Sequence, residues 1–130
     1  LEHLSDPMRV VDAMADWLRP GGVAGIETPS ERSIRLPSAK DGWLIFRGCL
    51  NFHDDETHTR PVAIKDVQRV LRSRGLSVSG PRRAVLWRHI LLMPFYWAGC
   101  LVTKGFVPAS LLWDICGFAD QLVAQKGKKA

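Results

Sequence analysis

The chain has no apolar run long enough to cross a bilayer. Its richest stretch, "ILLMPFYWAGCLV" from Ile90 to Val102, is 13 residues long. A spanning helix needs ~20, and Pro94 interrupts this one. Cysteine is scarce. Cys49, Cys100 and Cys116 are far apart, odd in number and never in a C-x-x-C spacing, which excludes a zinc ribbon or a disulfide framework. They read as small core residues in a reducing compartment. The start, "LEHLSD", is acidic and polar, unlike a signal peptide, so a cytoplasmic protein is expected. No repeat or low-complexity tract is present, which excludes a solenoid.

Acid is also scarce, but only in the second half. Residues 1–65 carry 8 Lys and Arg against 10 Asp and Glu, whereas residues 66–130 carry 10 against 3. A basic half raises nucleic acid or an anionic lipid surface as partners. No recognised nucleic-acid motif accompanies the charge, so no nucleic acid is expected. Arg69, Arg72 and Arg74 read as the solvated face of one helix, and Lys126, Lys128 and Lys129 as a loose tail.

What is present is an ordinary globular composition, 46% hydrophobic and 24% charged over 130 residues, enough for one domain. Asp6-Pro7 starts a helix: Asp accepts from free amides of the first turn, and Pro suits the first helical position. Val11, Met14 and Leu18 recur at helical spacing, predicting a helix over 7–19 that Pro20-Gly21-Gly22 ends. "VAGIET" predicts a buried parallel strand over 23–28. Residues 29–60 read as a long connection, of the kind that often carries function. Ile64, Val67 and Leu71 predict a helix over 64–74, capped by Gly75, with a strand over 76–80. A helical insert is expected over 84–116. Its first part, 84–103, carries Trp87, Phe95, Tyr96 and Trp97 and is kinked or broken at Pro94. A final edge strand over 117–125 follows. This alternation argues for an α/β layer fold. "VAGIET" is apolar enough to want neighbours on both edges. Three strands alone would leave it bare, so a missing N-terminal half or another chain is expected to complete the sheet.

"LEHLSDP…LRPGGVAGIETPS" resembles the middle of class I S-adenosylmethionine-dependent methyltransferases, which often carry a Leu-Glu-His-aliphatic-x-Asp-Pro segment after their fourth strand, then a helix, a Pro-Gly-Gly turn and the fifth strand. "NFHDDETHTRP" resembles a loop of several small-molecule and sugar-modifying members, "LRSRGLSVSG" their next helix-to-strand step, and "GFADQLVAQK" their last strand. The resemblance implies a doubly wound, Rossmann-like sheet of seven strands with the last antiparallel, of which this chain is the C-terminal portion. It also implies methyl transfer from S-adenosylmethionine to a small-molecule acceptor. The donor's Gly-rich loop would lie upstream. Gly21-Gly22 does not substitute, because it leads from helix into strand, whereas a nucleotide-binding turn leads from strand into helix.

Ligands of open α/β sheets sit beyond the carboxyl ends of the strands, where Leu1–Asp6 and Thr28–Ser30 fall. The resemblance turns Leu1, Glu2 and His3 toward the donor and makes Glu2 and His3 the catalytic pair. His3 takes a proton near neutral pH. In some quinone-precursor relatives such a Glu-His pair also helps hold a divalent metal together with an upstream acid. The other reading is that the pair only packs the following helix. Thr28, Ser30, His58 and Arg60 are expected at the acceptor, although many relatives have Asn where Ser30 stands. The cluster His53, Asp54, Asp55, Glu56 and His58 has no register that aligns it, so no metal is assigned. Arg60 either grips an acidic group of the acceptor or pairs with Asp54 or Asp55 at the surface. The aromatic insert, with His89, has two readings: a helix packed on the sheet, or a surface resting on a membrane. Two alternatives to catalysis stay open: a partner-binding module, and a basic binder of anionic lipid or nucleic acid.

Overall fold

A computed structural model describes residues 1–128; Lys129, expected in the tail, lies outside them. Helix α1 (Pro7–Trp17) starts where Asp6 accepts from the Arg9 amide at 3.2 Å. It ends two residues before the expected 19, because Leu18 is already extended and Pro20 disfavours a helical residue before it. Strand β1 (Val23–Pro29) follows.

The long connection is not bare loop. It holds a 3-10 turn at Ser33–Arg35, a short strand β2 (Phe46–Arg47) and a second 3-10 turn at Phe52–Asp54. Helix α2 (Ile64–Ser73) buries Ile64, Val67 and Leu71, the stripe read from its spacing. Strand β3 (Ser77–Arg83) runs past the expected 80, since a register shift between Ser79 and Arg82 accommodates Pro81 without a ladder amide. The insert is divided. Helix α3 (Trp87–Lys104) is not broken at Pro94: burial of Met93 and contacts of Trp97 and Cys100 with the second core offset the lost bond. Strand β4 (Val107–Pro108) pairs in parallel with β2, a pairing absent from the sequence reading. A 3-10 turn at Ala109–Leu112 leads into α4 (Trp113–Cys116), and β5 (Ala119–Gln125) ends the fold.

Two expectations for the sheet are corrected. The order is β1-β5-β3, and β5 is antiparallel to both neighbours. So β5 is the central strand rather than an edge: Ala119, Leu122 and Ala124 are buried and its backbone pairs on both sides. β1 is an antiparallel edge strand among the described residues rather than a buried parallel one. Ile26 and Thr28 point into the core while Val23, Gly25 and Glu27 are exposed. Its second flank has no neighbour among the described residues.

Helices α1 and α2 cover one face, where Val11, Ala15, Val67 and Leu71 pack with Ile26, Leu122 and Ala124. The opposite face carries Glu27, Gln121, Val123 and Gln125, all exposed. The described residues therefore form a mixed α/β unit with a three-stranded antiparallel sheet and a separate parallel pair, covered on one face, where a doubly wound sheet would be covered on both. A second core gathers Ala39, Phe46, Leu50, Val107 and Leu112 beneath α3. The tail is not loose at its start, because Lys126 Nζ donates to Ala15 O at 2.7 Å.

Candidate functional site

The chain segments on either side of the site hold each other in place. The Thr59 amide donates to Glu2 O at 2.8 Å, and the Thr59 hydroxyl donates to the same oxygen at 2.8 Å and to Leu4 O at 3.1 Å. This brings residues 57–59 beside residues 2–4, at the end of β1 where Thr28 lies. A cleft of about 320 Å³ opens there, lined by Glu2, His3, Thr28, Asp55 and His58 on the polar side and by Cys49, Trp113 and Phe118 on the other.

Both imidazoles are oriented by backbone carbonyls. His58 Nδ1 lies 2.6 Å from Phe52 O, and His3 Nδ1 lies 3.3 Å from Thr57 O and 2.9 Å from Thr57 Oγ1. A carbonyl only accepts, so each Nδ1 carries the hydrogen and each neutral ring keeps its lone pair on Nε2. The rings are 4.8 Å apart, and His58 stacks on Phe52 at 4.5 Å. His3 Nε2 is 3.8 Å from Glu2 Oε1, and His58 Nε2 is 3.7 Å from Asp55 Oδ2. The Thr28 hydroxyl donates to Glu2 Oε2 at 3.4 Å.

Burial pushes the Glu2 carboxyl up, while a hydrogen bond from its own backbone amide and the nearby His3 pull it down. Asp55 is lowered by hydrogen bonds from the Thr57 hydroxyl and amide. Two carboxylates stand beside two imidazoles in this cleft. Such a set can accept a proton from a bound hydroxyl and stabilise the resulting imidazolium. Glu2, His3 and His58 also each offer one donor atom, all within 4.8 Å of one another. Two imidazoles and a carboxylate suit a divalent transition metal, and rings whose other nitrogen donates to a carbonyl are typical of metal ligands. Sequence spacing did not join His58 to the Glu2-His3 pair, because it lies 55 residues beyond His3.

Of the residues expected at the site, Glu2, His3, Thr28 and His58 share this cleft. Leu1 packs against the main core. Ser30 is buried; its hydroxyl donates to Gly117 O at 2.7 Å and accepts from the Arg32 amide at 3.2 Å. It lines a neighbouring cleft of about 330 Å³ with Arg32, Lys65, Arg83 and Asp120, which contains no imidazole. Without a group that takes a proton near neutral pH, that cleft is the poorer candidate despite its equal size. Arg60 is exposed beside Pro7, Pro61 and Asp66, outside both clefts.

The dense polar cluster separates by role. Asp54 is buried and accepts from the Ser38 hydroxyl and from the amides of Ala39, Leu50 and Asn51, the last three at 3.1, 2.8 and 2.8 Å. It holds the long connection together. Glu56 pairs with Lys40 at the surface. Trp113 and Phe118, which the sequence reading did not single out for the site, stack at 4.4 Å; Trp113 Nε1 donates to Cys49 O at 2.9 Å. They lie some 55 or more residues beyond His58, so spacing carried no signal for them.

No family model matches the chain, and no curated protein matches it significantly. Among the described residues no helix is long and apolar enough to cross a membrane.

Proposed function

We propose that the chain is the acceptor side of a class I S-adenosylmethionine-dependent methyltransferase, acting on a small molecule whose attacking group, a hydroxyl above all, sheds a proton. The observation that carries this reading is the convergence of Glu2, His3, Thr28 and His58 on one cleft at the carboxyl end of β1. An antiparallel final strand and an unpaired flank on β1 also support it, since both are features of the C-terminal part of the implied seven-stranded sheet.

The described residues do not fit the methyl donor itself. Among them, the Gly21 amide donates to Lys126 O at 3.0 Å and the Gly22 amide to Arg19 O at 2.8 Å, so that turn has no free amides to offer an anionic group. The donor's cradle belongs to the part of the sheet beyond β1. What this chain's own residues do is bind the acceptor against Trp113 and Phe118, hold it near Glu2 and Thr28, and take its proton on Nε2 of His3 or His58. Proton removal by a positioned base contributes about 10²–10⁴-fold in rate.

The test is transfer of radiolabelled methyl from S-adenosylmethionine to a panel of small hydroxylated acceptors, using the protein as its gene encodes it. Activity is expected, falling about 10²-fold or more in His58→Asn and in His3→Asn. Absence of any transfer would favour a partner-binding module. Activity lost on dialysis against EDTA and restored by a divalent cation would reassign Glu2, His3 and His58 from proton acceptors to metal ligands. The 130-residue chain alone is expected to give no measurable heat of binding with S-adenosylmethionine.

A further inference from the structure

Helix α3 is apolar on both sides. Its inner side buries Met93 and packs Trp97 and Cys100 over the second core. Its outer side is a stripe in open solvent: Trp87 is 79% exposed, Leu91 78%, Phe95 75% and Val102 85%. These positions fall within a quarter turn of one another at 100° per residue, so they form one continuous face. Contiguous exposed apolar surface of this size marks an interaction site.

A second apolar projection belongs to the same part of the molecule. Trp43 and Phe46 exchange backbone hydrogen bonds at 3.1 and 2.9 Å, which closes a two-residue turn with Leu44 and Ile45 at its tip. Leu44 has φ 54° and is 76% exposed. Such a turn favours Gly or Asn, yet a bulky apolar side chain is presented there. The turn is tied to the insert, since the Val107 amide donates to Ile45 O at 2.9 Å and Phe46 meets Trp97 edge-on at 5.2 Å.

Charge indicates what covers these surfaces. From Arg82 to Trp113 the chain carries Arg82, Arg83, Arg88 and Lys104 and no Asp or Glu. Arg88 stands at the start of the helix, within a quarter turn of the exposed stripe at 100° per residue. Beneath the turn, the Arg47 guanidinium donates to Leu44 O at 3.2 Å and to Phe46 O at 2.8 Å. Apolar side chains bordered by cations, with Trp and Phe on the outward face, suit a helix lying in the plane of an anionic bilayer surface.

We propose that α3 and the Trp43–Phe46 turn rest on an anionic lipid surface, with Trp87, Leu91, Phe95 and Leu44 at the headgroup boundary and Arg88 and Arg47 against the lipid phosphates. The attachment is peripheral, and it stands independently of the methyl-transfer reading. It is tested by sedimenting the full chain with vesicles of phosphatidylcholine alone and of phosphatidylcholine mixed with phosphatidylserine. Binding to the mixed vesicles is expected. The triple variant Trp87→Ser, Leu91→Ser, Phe95→Ser should lose about tenfold or more of it, and Arg88→Gln about fivefold. The replaced side chains are exposed, so the triple variant keeps its far-ultraviolet circular dichroism and the comparison stays readable. Equal partition of variant and native protein, or equal partition onto both vesicle types, would overturn the proposal. So would a native protein that ignores both vesicles, or one that is a dimer and is made monomeric by the triple substitution, since a second copy would then be the occupant.

Discussion

Helices α2 and α3 meet the rest of the molecule in opposite ways. In α2, every third or fourth residue (Ile64, Val67, Leu71) is buried, while Lys65, Arg69 and Arg72 face water. In α3 only Met93 is fully buried, and the opposite side is as apolar as the inner one. The first helix has its complete environment within the described residues. The second leaves its apolar outer side in solvent. The difference separates burial that folds the chain from apolar surface held back for something else.

The largest expected effect tests that separation directly. Leu71 is fully buried between α1 and the sheet, so Leu71→Ala should cost about 2–5 kcal/mol, the lost transfer energy plus a cavity. Phe95→Ser removes a larger side chain but should change stability by no more than about 0.5 kcal/mol, because that ring is in water before and after unfolding. Urea denaturation of both variants decides it. A Phe95→Ser loss as large as that of Leu71→Ala would mean that α3 is packed on both sides, and the contrast between the helices would fail.

The next effect lies ahead of α2, in the connection that the polar cluster organises. Asp54→Ala leaves the buried amides of Ala39, Leu50 and Asn51 without their acceptor and should cost about 3 kcal/mol. Burial pushes the Asp54 carboxyl up, but the Ser38 hydroxyl and these amides together hold it below its usual value. A depressed folded-state pKa contributes stability that is whole above the unfolded value of ~3.9 and is lost as pH falls through the folded value. Thermal melts should therefore show a steep acid loss below about pH 4, blunted in Asp54→Asn. An acid limb unchanged in Asp54→Asn would show that other carboxylates set it.

This contrast also explains what could be read from the sequence. α1 and α2 follow from period and caps, because each buries one stripe and solvates the other: Val11 and Ala15 in one, Val67 and Leu71 in the other. The position of β5 was not legible, since "ADQLVAQ" is short and half polar, and its central place depends on partners nearly 100 residues away in β1. The β2–β4 pair is two residues long and below any pattern. At the site, Glu2, His3, Thr28 and His58 follow from the resemblance and, for the first three, from their place beyond the carboxyl ends of the strands. That Ser30 and Asp54 are used up in internal hydrogen bonds was not legible, because this depends on carbonyls and amides brought near by the fold. The resemblance named a cofactor whose cradle is not formed by the described residues, so it bears on the acceptor side alone.

The smallest effect belongs to the watery face of the first pair. Arg74, at the end of α2, is 3.4 Å from Asp12 Oδ1 and also meets Asp16, one turn further along α1. All three side chains are more than a third exposed, so Arg74→Ala should cost about 0.5 kcal/mol or less at low salt. That cost should vanish in 1 M sodium chloride, where the screening length is ~3 Å. The outer face of α3 should respond differently to the same salt. Its cations lose their grip on anionic vesicles, but the apolar part of the attachment, carried by Trp87, Leu91 and Phe95, should persist as a weaker residual binding. If binding to vesicles instead disappears entirely at high salt, the attachment is purely electrostatic and the exposed aromatic stripe of α3 takes no part in it.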